Sequence, residues 1–251
     1  MATVRFESSL VALLVLALTL AQGREIPDYI NVCRRADPEL AQCIMNTVEE
    51  IRPRLADGIP DLNVPSIEPL LIKEIIVAGA TNSLFKVSAT NVNAYGCSNF
   101  KITGMQADME KYIFSFQLDL PLLNIDARYD VDGRILLIPI KGNGPMKLNI
   151  TNTKADVLLN GEVYQKDGDD YIRFPDMNIK FDIGKGSVKL ENLFGGEKTL
   201  GEAINAAINA NFGGFLTELK PSIERELSST MLEVANNVVK DFTLNQLFLV
   251  D

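Results

Sequence analysis

The segment from Phe215 to about Phe242 constrains the fold most. Leu216, Leu219, Ile223, Leu227, Met231, Val234 and Val238 recur there at steps of three and four, forming one apolar stripe along a helix. Such a helix spans about 40 Å at 1.5 Å per residue. A small flat sheet cannot cover a stripe of that length, so whatever packs on it has to wrap around it. Pro221 is expected to kink or restart the helix near its first turns. A shorter helix, Leu200 to Phe212, precedes it after Gly195-Gly196.

The wrapping element is legible upstream. From Ile72 to about Leu193 the chain reads as period-two segments bounded by turn residues, the pattern of antiparallel strands. Phe114, Phe116, Leu118 and Leu120 share one face, and Ile125, Ala127, Tyr129 and Val131 repeat the alternation. Asp132-Gly133 is expected to make a tight hairpin turn into Ile135–Ile140, and Gly142-Asn-Gly-Pro145 to end that strand. Another strand runs from about Lys147 to Val163 and meets the turn Lys166–Asp170. Met177, Ile179, Phe181 and Ile183 then alternate with polar residues.

Ahead of the strands, Asp37 is a candidate N-cap with Pro38 in the first helical position. Leu40, Cys43, Ile44, Thr47, Val48, Ile51 and Leu55 follow at helical spacing, with Pro53 and Gly58-Ile-Pro60 expected to end the helix. The three prolines of Gly58–Leu70 block helix and central strand alike, which predicts an extended connector lying on the surface. No repeat or linker composition separates two domains, so helix, strands and helix share one core.

Arg5 followed by the apolar run Leu10–Leu20 and then Ala21-Gln22-Gly23 reads as a signal peptide over residues 1–23. The run is too short to cross a bilayer, which takes about 20 helical residues. Residues 24–251 are thus expected as a secreted, extracellular domain with no stable membrane anchoring. In an oxidising compartment the nearest of the three cysteines, Cys33 and Cys43, are expected to pair, contributing about 2–3 kcal/mol on chain-entropy grounds. Cys97 is left as a buried unreactive thiol or as an intermolecular bridge. Asn149-Ile-Thr151 is a glycosylation sequon, to be read against an unmodified strand residue.

The inventory excludes much chemistry. The chain contains no histidine, so serine or cysteine triads with a histidine base and histidine-ligated metals are out. Gly184-Lys-Gly-Ser187 lacks phosphate-loop spacing and reads as a hairpin turn, and Lys166–Asp170 lacks the ligand pattern of a calcium loop. No catalytic residue, metal site or cofactor is expected, and hence no enzyme. A net charge of −9 without a basic cluster disfavours nucleic acid and anionic lipid as partners.

Four features stand in order along the chain: Cys33 and Cys43 with nine residues between, Gly58–Leu70, Tyr129–Gly144 and the closing Phe242–Val250. Together they resemble the takeout and juvenile hormone binding protein family of insects over essentially all of residues 24–251. The resemblance implies an α+β tubular lipid-binding fold. In it a highly curved antiparallel sheet wraps a long C-terminal helix around an internal hydrophobic tunnel, in a single elongated and monomeric domain. Hormone binding proteins proper carry two disulfides, and this chain can form one within itself, so it is more similar to the takeout branch. That branch is associated with circadian, feeding and chemosensory physiology, and juvenile hormone itself becomes the less favoured ligand.

The implied function is a carrier of a small hydrophobic ligand, a terpenoid, fatty acid or similar lipid. Its expected contacts are the inward row Phe114, Phe116, Leu118, Ile179 and Phe181 facing Leu219, Ile223, Leu227 and Met231, each of which ordinary core packing would explain as well. The wider superfold also contains membrane- or lipopolysaccharide-binding defence proteins, against which the acidic charge argues. A signalling partner with a filled core is the third reading.

Overall fold

A computed structural model describes residues 24–78, 86–135 and 138–250. The proposed signal peptide lies outside the described residues. In order, the elements are α1 (Leu40–Asp57), β1 (Leu70–Ala78), β2 (Lys86–Tyr95), β3 (Lys101–Asp108), β4 (Ile113–Ile135), β5 (Ile138–Lys166), β6 (Asp169–Asp182) and β7 (Lys185–Leu190). The helices α2 (Lys198–Ala210), α3 (Phe212–Val239) and α4 (Leu244–Leu247) follow.

The sheet is antiparallel and is built on the long β4–β5 ribbon. On one side of β4 lie β2 and then β3, end to end; on the far side of β5 lie β6 and then β7, also end to end. Gly184 is therefore no hairpin: β6 and β7 run in one direction along β5, and the Gly184 N–H bonds back to the carbonyls of Thr151 and Asn152 at 3.1 and 3.2 Å. The sheet curls until β1 at one edge and β6 and β7 at the other all contact α3. The wrapping demanded by the helix length is thus achieved by curling a single sheet.

Long strands coil only if their faces can rotate, and the β4–β5 ribbon does this at one level. Phe114 is buried at an even position, whereas Leu123, Ala127, Tyr129 and Val131 are buried at odd ones. In β5 the buried positions change from Ile150 to Thr153, Ala155, Val157 and Leu159. Pro121 and Asn152, the latter at φ 53°, sit at this change of phase. The β2–β3 break, where a Cβ on Gly96 would come within 2.3 Å of the Leu122 carbonyl, and the β6–β7 break lie alongside. A crease thus crosses the whole sheet.

Several local expectations are corrected. Asp132-Gly133 does not turn, because Gly133 pairs with Ile140 inside the ribbon and the pairing continues to Ile135 with Ile138. Gly142–Pro145 does not end a strand. These residues pair with Val131–Arg128, and their glycines are explained by close approach, since a Cβ on Gly144 would stand 2.5 Å from the Glu191 carbonyl. The first helix starts at Leu40, with the Asp37 carboxylate accepting from the Glu39 N–H at 2.8 Å, and it runs through Pro53 to Gly58, whose φ of 89° stops it. Likewise α3 passes through Pro221 unbroken; packing along the sheet outweighs one missing backbone bond. The Gly58–Leu70 connector is anchored rather than merely draped, with Ile59 and Leu62 buried against Phe242.

An open sheet edge is an aggregation hazard, and here helix side chains close it. Asn205 bonds both backbone groups of Leu190, and Asn209 both of Val188, at 2.8 Å throughout. Asn236 does the same for Phe174 at 2.9 and 2.8 Å, while the Ser228 hydroxyl accepts from Ile179 N–H and the Glu224 carboxylate from Phe181 N–H. Glu224 is buried, and its charge is met by Lys180 at 2.8 Å and Lys220 at 3.8 Å.

Candidate functional site: an apolar cavity beneath the N-terminal arm

At one end of the sheet the chain does not fill the space it encloses. A cavity of about 370 Å³ lies between α1, the inner face of β3–β6, the end of α3 and the C-terminal segment. The sheet contributes Met105, Phe114, Phe116, Leu159, Ile172 and Phe174. From the C-terminal side come Val238, Val239, Phe242, Leu247 and Phe248. Ile44, Thr47 and Val48 of α1, with Ile26, Ile30, Asn31 and Val32 of the N-terminal arm, close the top.

Each wall has a reason to be where it is. Phe114 stacks on Phe248 at 5.9 Å and meets Phe174 edge-on at 6.2 Å, which rigidifies the floor. The Asn236 clamp fixes Phe174 from α3. Arm and C-terminal segment are tied together: Leu249 N–H donates to the Cys33 carbonyl at 3.0 Å, Gln246 Nε2 to the Arg24 carbonyl at 2.9 Å, and Arg24 pairs with Asp241 at 2.9 Å. A disulfide between Cys33 and Cys43 fastens the arm to α1.

The polar groups of the lining cluster at that fastening. Thr47 donates to the Asn31 carbonyl at 2.8 Å, with the Cys43 carbonyl also in reach at 3.1 Å, and the Asn31 amide lies 3.9 Å from Cys43 Sγ. The site is therefore an apolar pocket with one weakly polar rim, a form suited to binding a lipid-like body with a small polar group.

Of the nine residues expected as ligand contacts, Phe114 and Phe116 line this cavity. Ile179, Leu118, Leu227 and Met231 pack in the cluster behind Phe114. Leu219 belongs to a separate cluster around Tyr129 and Phe215, while Phe181 is buried and Ile223 half-buried nearer the crease. The arm and C-terminal residues were not anticipated. Ile44, Thr47 and Val48 did stand on the apolar face of the first helix, but the arm is too short and irregular for any periodicity to mark it. Asn149 is exposed on the outer face of β5, opposite Asn124 and Ser187.

Elsewhere the ionisable groups are held quiet. Burial and the charge of Glu68 push the Cys97 thiol up to about 11, and burial pushes the Tyr129 phenol up to about 12 while it donates to the Glu191 carbonyl at 2.6 Å. Among the described residues no group of His, Cys, Asp or Glu is arranged to hold a metal ion, and no helix is long and apolar enough to cross a membrane.

Comparison with known proteins agrees with this geometry. The chain is similar to the circadian clock-controlled protein daywake of Drosophila melanogaster, with 22% identity over 231 residues and 88% of each chain covered. It is similar at the same 22% identity to a Schistocerca gregaria protein provisionally named as beta-carotene-binding, over 87% of this chain and 88% of that one. The crystal structure of Epiphyas postvittana Takeout 1 superposes with a TM-score of 0.75 at 20% identity, covering 87% of this chain and 99% of that one, and so shares the fold. The sequence profile described as haemolymph juvenile hormone binding protein matches residues 10–249, and the chain therefore belongs to that family of hydrophobic-ligand carriers.

Proposed function

We propose that the protein is an exported carrier that holds a small hydrophobic molecule, a terpenoid, fatty acid or comparable lipid, in the cavity beneath its N-terminal arm. The observation that carries this reading is the cavity itself: about 370 Å³ walled by aliphatic and phenylalanine side chains, with Asn31 and Thr47 at one rim. At roughly 30 Å³ per water-sized group that volume takes about twelve such groups. At about 0.8 kcal/mol per methylene buried, a ligand filling it gains about 10 kcal/mol before the costs of association. Since a nanomolar complex needs about 12 kcal/mol net, a ligand confined to this volume binds in the micromolar range or more weakly.

Phe114 and Phe116 would touch the ligand, with Leu118, Ile179, Leu227 and Met231 supporting them. Phe181, Leu219 and Ile223 would be met by a longer chain. Arg5, Leu10–Leu20 and the small residues Ala21 and Gly23 support export, as does the disulfide. The name of the Drosophila relative supports a clock-linked setting, and that of the Schistocerca relative supports an apolar cargo.

Native mass spectrometry of the purified chain, followed by solvent extraction, tests the reading. A co-purifying lipid, or uptake of farnesol or palmitate by the empty protein, is the expected result. A ligand-free mass that takes up neither overturns it.

A further inference from the structure

Asn149-Ile150-Thr151 is the chain's one Asn-X-Ser/Thr sequon. It lies in β5, where alternation buries Ile150 on the inner face and leaves Asn149 exposed on the outer one, with Thr151 half-buried beside it. Asn205, Asn209 and Asn236 use their amides to clamp strand edges. The Asn149 amide bonds to no other group among the described residues, so the fold makes no use of it.

The surface around it is apolar where the rest of that face is charged. Across the sheet at this level Tyr95 of β2 pairs with Asn124 of β4, Asn124 with Asn149, and Asn149 with Ser187 of β7. Leu122, which pairs with Thr151, is the diagonal neighbour of Asn149 on β4. Leu122 is 46% exposed and Tyr95 39%, and Leu71 of β1, diagonal to Tyr95, is 65% exposed. Beyond Asn124 the outer row of β4 continues as Asp126, Arg128 and Asp130. At about 4.8 Å between strands, Leu122 stands one strand from Asn149 and Tyr95 two strands, or about 10 Å. Contiguous apolar side chains so exposed favour association of the protein with itself.

We propose that Asn149 carries an N-linked glycan, added as the chain is exported, and that its first sugars lie over Leu122 and Tyr95. The inference rests on the export reading. The co-reactant is an oligosaccharide linked to a polyprenyl pyrophosphate. Asn149 Nδ2 attacks C1 of its first sugar, the C1–O bond to the pyrophosphate breaks and an N–C1 bond forms. The lipid pyrophosphate leaves with the bonding electrons, and the amide proton passes to a base of the transferase. A sugar ring has a face of C–H groups that packs on a tyrosine ring or leucine methyls, while its hydroxyls stay in water. The glycan therefore covers the patch and keeps the surface wet. The cavity lies on the inner side of the sheet, so the modification serves solubility and leaves ligand binding alone.

The test expresses the full chain in cultured insect cells as wild type, Asn149→Gln, Thr151→Ser and Thr151→Ala. Medium and cells are then compared before and after peptide N-glycosidase. Wild type and Thr151→Ser should be secreted and lose mass on treatment, and the other two variants should not change. Hydroxyl-radical footprinting of wild type before and after glycan removal reads the patch, with Asn149→Gln as a second unglycosylated sample. Labelling of Tyr95 and Leu122 should be severalfold lower with the glycan in place, while Tyr29 and Leu200, exposed elsewhere, stay the same. Secreted wild-type protein whose mass the enzyme does not change overturns the site and leaves the export reading standing. Equal labelling of Tyr95 and Leu122 overturns the shielding. A chain retained in the cell without a glycan removes the export reading and this inference together.

Discussion

Replacing Asn236 by leucine probes the feature that holds sheet and helix together. The substitution keeps side-chain size but deletes both bonds to Phe174, at 2.9 and 2.8 Å, on a half-buried edge of β6. A stranded N–H and a stranded carbonyl each cost about 1–3 kcal/mol, and partial access of water brings the pair to about 2–4 kcal/mol. That is a large part of the roughly 5–15 kcal/mol by which a domain is stable. With a urea dependence of about 2 kcal/mol per molar, the unfolding midpoint should fall by about 1–2 M. Circular dichroism during urea titration measures it. Asn209→Leu is the control: it removes an equivalent pair of bonds at Val188 in an exposed setting, where water replaces them, and should cost clearly less. Because Phe174 also lines the cavity, Asn236→Leu should weaken probe binding as Asn209→Leu does not. Equal midpoint shifts for the two variants would refute the claim that the α3 clamp, rather than general packing, secures this edge.

Val48→Trp, which adds bulk from α1 into the cavity, should abolish binding of an apolar probe while leaving the circular dichroism spectrum intact; undiminished binding would place the ligand elsewhere. Because the Cys97 thiol is raised from 9.0 to about 11, its reaction with a disulfide reagent at pH 8 should be about a hundredfold slower in native protein than in urea, and equal rates would show the thiol to be open. The Glu68 carboxyl is pushed up by burial, but hydrogen bonds from the Gly96 and Ser98 N–H groups and the Ser98 hydroxyl outweigh this and hold it below its ordinary 4.5. Its stabilisation is therefore present above the ordinary value and lost as pH falls through the lower folded value, so Glu68→Gln should flatten the acid limb of a melting-temperature profile.

Local periodicity made most of the elements legible. Steps of three and four marked α1 and α3, and alternation marked the strands, because both patterns reflect burial of one face of a single element. The same locality explains the errors. The buried phase of β4 changes between Phe114 and Leu123, so one continuous strand reads as two. Glycines 142 and 144 serve the approach of the Glu191–Leu193 segment, a contact distant in sequence, so they read as the end of a strand.

The sequence by itself determined the element types, the need for a sheet that wraps a long helix, the absence of histidine chemistry and, through four motifs in order, the family. The tertiary structure alone decided where space is left over. The cavity is bounded by Ile30, Val48, Phe114, Phe174 and Phe248, residues spread from one end of the chain to the other, and a void is set by how far such distant side chains fail to meet. A core residue and a cavity wall share the same composition and periodicity. They differ in what stands opposite, and only folding brings that about.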